Sequence, residues 1–270
     1  MKSISKFLIV LIAVAACDRN DGNFSDEMKI TGKPEISKTD GAKAQERKYD
    51  NRKSPYYHAI DFYNAKSTDT LTIIPRYKTI QQSSEWSCAM ASIMMVLEHF
   101  GRLGDWDEAS LGQLRPVKHE KLTPWIAEYR RVHGLENSPT HLFDMIYIFE
   151  HIGGFDIISS YDYGDDISEK VTLETLENFV RQGLPVMVLW NDMGGHWQTI
   201  IGYDNMGTET KKDDVLIVAD SLDITDHNQD GYSIYPAYRF INNWTMSGFR
   251  EQNPRDNDFL FIVVKPKESN

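Results

Sequence analysis

Residues Gln81–Gly101 read QQSSEWSCAMASIMMVLEHFG. Ala89, Ile93, Val96, Leu97 and Phe100 recur at helical spacing and Gly101 supplies a stop, so the stretch predicts a helix from Cys88 to Phe100. Cys88 then stands at a helix N-terminus, where backbone N–H groups favour negative charge and lower a thiol pKa. Gln82 lies six residues before it. The stretch therefore offers either a nucleophile or a packing cysteine, since a free cysteine is often an inert buried residue.

The start of the chain bears on that choice. It reads MKSISKFLIVLIAVAAC, with Lys2 and Lys6 as a basic region and an apolar run from Phe7 to Ala16. The run is too short to span a bilayer and suits a signal peptide. It ends in Val14-Ala15-Ala16-Cys17, which resembles a bacterial lipobox. The resemblance implies that residues 1–17 are a lipoprotein signal peptide and that Cys17 carries lipid. The mature protein is then anchored in the bacterial cell envelope, facing the periplasm or exterior. The chain has two cysteines. With Cys17 lipidated, Cys88 has no partner within the chain, and an unpaired thiol in an exported protein points to a reactive or intermolecular role.

The 270 residues carry a formal charge of −11, and signal removal takes away two lysines more. Such a surface repels nucleic acid and anionic lipid headgroups, and no basic cluster with interleaved aromatics suggests a nucleic-acid partner. Hydrophobic residues make up 41% of the chain, enough for a core.

Residues 18–53 are polar, charged and poor in large apolar side chains. They bury too little surface to repay their ordering entropy, which predicts a flexible tether. The domain is assigned to residues 54–270, with its folded part from about Leu71 to Lys265. LTIIP reads as a strand, TPWIAEYRRVHG and SPTHLFDMIYIFEHIGG as helices that open on Thr-Pro and Ser-Pro. FDIISS is a strand and TLETLENFVRQG a helix closed by Gly183. LPVMVLW, HWQTIIGY, DVLIVAD, YSIY and FLFIVVK are strands, and YPAYRFINNW is a short amphipathic helix. Helices first and strands mostly later predict an α+β fold, an antiparallel sheet against a helical layer.

Two further elements complete a chemical constellation. Gly194-Gly195-His196-Trp197 opens the strand HWQTIIGY, and Asp220 ends the strand DVLIVAD. In an antiparallel pair the start of one strand and the end of the other share a sheet edge. Asp220 can then hydrogen-bond the His196 ring and stabilise its imidazolium. Gln82, with Gln81 as the less well spaced rival, can donate to the oxyanion of an acyl-transfer step together with the Cys88 backbone N–H. Trp86 and Trp197 flank this centre as candidate substrate-binding residues.

The order Gln82, five residues, Cys88 opening a helix, then GGHW leading a strand and a strand ending in Asp220 resembles a papain-like cysteine peptidase. It is most similar to the branch of bacteriocin-processing, double-glycine-leader peptidases and their free-standing bacterial relatives. The match covers about Tyr77 to Asp223. It implies a papain-like fold with the nucleophile at a helix N-terminus, and places the catalytic roles on Cys88, His196, Asp220 and Gln82. Many relatives have Gly after the cysteine, where this chain has Ala89. Many have Asp-Pro where this chain has Asp220-Ser221, which leaves Asp223 as a second candidate orienter. Leader cleavage is not carried over, because the well-known leader peptidases sit inside transporters.

The expected activity is hydrolysis of peptide bonds in a peptide or protein substrate, with no cofactor. Acyl transfer by the same triad is the alternative, and so is an inactive peptide- or glycan-binding lipoprotein on the same scaffold. Asp226-His227-Asn228-Gln229-Asp230-Gly231 matches the first half of a calcium loop, but Ala237 stands where the bidentate glutamate belongs. A polar Asp-Gly turn is the favoured reading of that stretch.

Overall fold

The computed structural model describes residues 60–122, 124–135, 137–164, 167–192, 195–224, 229–244 and 259–268. The signal peptide with Cys17, the 18–53 tether, Gly194, and Asp226 and Asn228 of the candidate calcium loop lie outside the described residues.

The helix predicted around Cys88 is α1 (Cys88–His99), and it is buried on all sides from Ala89 to Leu97. A helix apolar around its whole circumference belongs inside a core. Its end is set by Gly101 at φ 65°, where the N–H of Gly101 bonds Glu98 O and that of Arg102 bonds Leu97 O. This paired closure satisfies the last carbonyls and needs a residue that tolerates positive φ.

Around α1 lie α2 (Glu108–Gln113), α3 (Pro124–His133), α4 (Leu142–Ile152), the short α5 (Ile167–Lys170), α6 (Leu173–Arg181) and α7 (Ala237–Asn243). The strands are β1 (Leu71–Ile73), β2 (Phe155–Ser159), β3 (Val186–Trp190), β4 (His196–Asp204), β5 (Val215–Ala219), β6 (Tyr232–Pro236) and β7 (Phe261–Pro266). They form one antiparallel sheet in the order β2-β7-β3-β4-β5-β6, with β1 also pairing β4. β4 is buried from His196 to Tyr203 and packs against both α1 and α6. The architecture is α+β, an antiparallel sheet with a helical layer led by the cysteine-bearing helix.

One local expectation is corrected, and one helix carries no prior signal of apolar period. The helix read from Ser138-Pro139 begins instead at Leu142, with His141 as its N-cap and Asp144 accepting from the His141 N–H at 2.8 Å. The carbonyls ahead of it are taken by two arginines. Arg115 donates to Ser138 O and Thr140 Oγ1, and Arg130 donates to Pro139 O. Those bonds occupy carbonyls that a helix starting at Ser138 would need for its first turn. Helix α2 carries no long apolar period, and its signal is local: Asp107 caps it, accepting from the Ser110 N–H at 2.8 Å while the Asp107 N–H donates to Ser110 Oγ.

Candidate active site

The loop before α1 is fastened at both ends. Ser83 donates through its N–H to Glu108 Oε1 at 2.9 Å and through its hydroxyl to the same carboxylate. The N-cap residue of α1, Ser87, makes no side-chain cap bond to the helix. Its hydroxyl turns back to the Ser84 carbonyl at 3.1 Å. No acidic side chain stands in the first turn. The positive end of the helix is therefore left to the half-buried Cys88, and the backbone N–H groups of Trp197 and Ala89 help to lower its thiol.

His196 is the first residue of β4, opposite Trp190 at the end of β3. The preceding turn is closed by the Gly195 N–H to Asp192 O at 3.0 Å, with Gly195 at φ 110°. The imidazole uses Nε2 toward Asp220 Oδ1 at 2.7 Å. Cys88 lies close enough for its thiol and the ring to perturb each other's ionisation, and with Nε2 engaged by Asp220 Nδ1 is the nitrogen left to face it. Ser92, one turn along α1, reaches Trp197 O at 3.5 Å and braces the helix on the strand.

Asp220 follows β5 directly. Pairing of Thr199 with Ala219 sets β4 and β5 so that the next step brings Gln198 opposite Asp220. Gln198 Nε2 donates to Asp220 Oδ2 at 2.7 Å, and the Leu222 N–H donates to Oδ1 at 2.9 Å. Gln198 is itself fixed by Trp190, whose indole N–H donates to Gln198 Oε1 at 2.5 Å. Both oxygens of the carboxylate are thus engaged. Gln198 escaped the sequence reading, although its place two residues after His196 puts it on the same side of a strand.

The electrostatics follow from this chain of bonds. Burial pushes the Cys88 thiol up, but the hydrogen bond and charge of His196 and the two backbone N–H groups outweigh it, and the thiol lies below its usual value. Burial alone pushes His196 down, yet Asp220 and Cys88 hold it well above the ordinary imidazole. Burial likewise opposes ionisation of Asp220, and the His196 charge with the bonds from Leu222 and Gln198 brings its carboxyl below the usual range. The arrangement favours thiolate, imidazolium and carboxylate in a row.

Gln82 is buried and bonded to Ser221, the residue after Asp220. Its N–H donates to Ser221 O at 2.9 Å, its Oε1 accepts from Ser221 Oγ at 2.7 Å, and its Nε2 donates to Ser84 O at 2.8 Å. Asp223 does not reach the histidine. It sits at φ 44° with Oδ2 accepting from the Gly231 N–H at 2.7 Å, which removes it as the orienter. The same turn ties back to the site, since the Asp220 N–H donates to Gly231 O at 2.9 Å. A Cβ on Gly231 would lie 2.3 Å from Thr79 Cβ, so the close approach demands glycine. Asp230 Oδ1 accepts from the Tyr232 N–H at 3.0 Å, a turn leading into β6. Among the described residues no group of three His, Cys, Asp or Glu side chains is arranged for a metal ion.

The two tryptophans separate. Trp86 is 38% exposed, two residues before the thiol. Trp197 is 1% exposed and donates its indole N–H to Thr140 O at 2.9 Å. Trp197 is therefore corrected from a substrate contact to a brace, because its position on β4 turns the ring into the core beneath the helical layer.

A family model described as the Peptidase_C39 like family matches residues 74–251, a span that contains all four candidate catalytic residues. A comparison with curated proteins finds no significant match. The match covers well over half of the chain, and with the α+β architecture it gives the family: the chain belongs to the Peptidase_C39 like family, a relationship to the papain-like cysteine peptidases.

Proposed function

We infer that the protein is a thiol peptidase that hydrolyses peptide bonds outside the cytoplasm, tethered to a membrane through lipid on Cys17. The observation that carries the reading is the His196 Nε2–Asp220 Oδ1 hydrogen bond at 2.7 Å beside Cys88 at the start of α1, and the mutual influence of thiol and imidazole, the thiol shifted down and the imidazole up, accords with it. In this mechanism the Cys88 thiolate attacks the substrate carbonyl carbon. The carbonyl electrons move onto oxygen, where the Cys88 backbone N–H and the Gln82 carboxamide stabilise the charge. Collapse of the tetrahedral species expels the amine, which takes its proton from His196 and leaves a thioester on Cys88. His196, now neutral, takes a proton from water, the resulting hydroxide attacks the thioester, and the acid leaves with the thiolate restored. Asp220 holds the ring and compensates the imidazolium throughout. Trp86 forms one wall of the substrate cleft.

The test uses the protein lacking residues 1–53. Iodoacetamide at about pH 6 alkylates Cys88 faster than it alkylates a simple thiol, because the thiolate is already populated. Alkylation at the ordinary slow rate would overturn the reading. Peptide turnover that vanishes in Cys88→Ala supports hydrolysis by this residue.

A further inference from the structure

Gln82 presents a problem of orientation. A carboxamide offers an acceptor at one end and donors at the other, with nearly equal shape, so only its neighbours decide which end faces where. Ser84 contributes a carbonyl oxygen, which accepts and never donates, and it lies 2.8 Å from Gln82 Nε2. On the other side Ser221 Oγ lies 2.7 Å from Gln82 Oε1. A hydroxyl has one proton, and here the carboxamide oxygen receives it. The amide nitrogen is thereby turned away from Ser221. One of its two protons goes to Ser84 O, and no partner among the described residues takes the second.

The backbone reinforces this pairing. The Gln82 N–H donates to Ser221 O at 2.9 Å, so main chain and side chain of the two residues are joined twice. Both residues are buried, and Ser221 directly follows Asp220. One dipeptide thus delivers a carboxylate to the imidazole through its first residue and a hydroxyl to the carboxamide through its second.

We propose that Ser221 is a positioning residue for the oxyanion donor: its hydroxyl sets the carboxamide of Gln82 with the nitrogen toward the reacting carbonyl oxygen. The proposal rests on the cysteine-peptidase reading. Without that hydroxyl the carboxamide oxygen loses its buried donor, and the side chain rotates to find another, taking its free proton away from the site. The thiolate is untouched, because Ser221 bonds Gln82 and the groups that lower the Cys88 thiol are His196 and the backbone of Trp197 and Ala89.

Two reactions at the same sulfur separate the effects. Iodoacetamide is attacked at carbon with expulsion of iodide, and no oxyanion forms. p-Nitrophenyl acetate is attacked at its carbonyl carbon, an oxyanion forms, p-nitrophenolate departs with the bonding electrons, and an acetyl thioester remains on Cys88. In Ser221→Ala the alkylation rate stays within about twofold of wild type. Acetylation falls about tenfold, a fraction of the 10²–10³ that loss of a whole oxyanion donor costs. Ser221→Thr keeps the wild-type acetylation rate and Ser221→Val, of equal size, does not. Acetylation of Ser221→Ala and Ser221→Val at the wild-type rate overturns the proposal, and so does a fall in alkylation equal to the fall in acetylation. A wild-type protein whose Cys88 is not acetylated overturns the peptidase reading and this proposal with it.

Discussion

Gln198 donates to Asp220 Oδ2 at 2.7 Å, across the register that pairs β4 with β5. The bond leaves the other carboxylate oxygen for His196, and the Trp190 indole in turn locks the glutamine. Three residues behind the imidazole therefore fix one another before any substrate arrives.

Gln198→Met removes a buried donor and a buried acceptor at once. Each orphaned partner costs about 1–3 kcal/mol. Urea unfolding is expected to show a loss of at least about 2 kcal/mol, with turnover reduced because Asp220 regains freedom to rotate. In Gln198→Glu two carboxyl groups meet and one must hold a proton. That variant is expected to lose stability progressively as pH rises, which thermal unfolding at several pH values would reveal. A stability unchanged by Gln198→Met would mean that the network adds nothing.

The directions of the pKa shifts give the pH dependence of the proposed chemistry. Cys88 lies below its usual value and His196 above it, so both shifts favour the thiolate–imidazolium pair. Activity rises on the acid side as Cys88 loses its proton and falls on the alkaline side as His196 loses its own. A profile of kcat/KM against pH checks this. A rate that rises only near the ordinary thiol pKa would contradict the ion pair.

Asp220→Asn removes the charge that supports the imidazolium and sets a donor NH₂ against that of Gln198. One charge-assisted hydrogen bond is worth about 1.5–3 kcal/mol, so kcat/KM is expected to fall about 10- to 100-fold. Stability changes sign in its pH dependence. In wild type the raised His196 contributes fully below the ordinary imidazole pKa and loses that contribution as pH rises through its folded value. The lowered Asp220 contributes above the ordinary carboxylate range and loses it as pH falls through its depressed value. In the variant the buried imidazole has no carboxylate and is driven neutral. Its Tm is expected to drop between about pH 8 and pH 5, where wild type holds steady or gains.

Arg130 and Asp144 form a fully buried pair at 2.6 Å, and Arg130 also holds Pro116 O and Pro139 O. Arg130→Met strands the carboxylate and is expected to cost about 3–5 kcal/mol. The double variant Arg130→Met/Asp144→Leu is expected to recover part of that loss, which a double-mutant cycle by denaturant unfolding measures. The adjacent Thr140 carbonyl braces Trp197, so the single variant is also expected to slow alkylation of Cys88.

Much of this protein was legible along the chain. The apolar spacing after Cys88, the stop at Gly101 and the short β-rich runs from Leu184 onward set element types, because period and turn chemistry are local properties. The order of Gln82, Cys88, His196 and Asp220 carried the family resemblance in the same way. Tertiary structure decided the rest. Nothing local tells residue 198 that it will face residue 220, since that depends on strand register. Nothing local turns Trp197 inward and leaves Trp86 outside, since that depends on which layer covers β4. Helix α4 starts at Leu142 and not at Ser138 because Arg115 and Arg130 claim the intervening carbonyls, and Arg115 lies more than twenty residues away in sequence. Sequence determines which groups are available and what each segment tends to form. Only packing fixes which distant donor meets which acceptor, because a buried polar group must find its partner wherever the fold provides one.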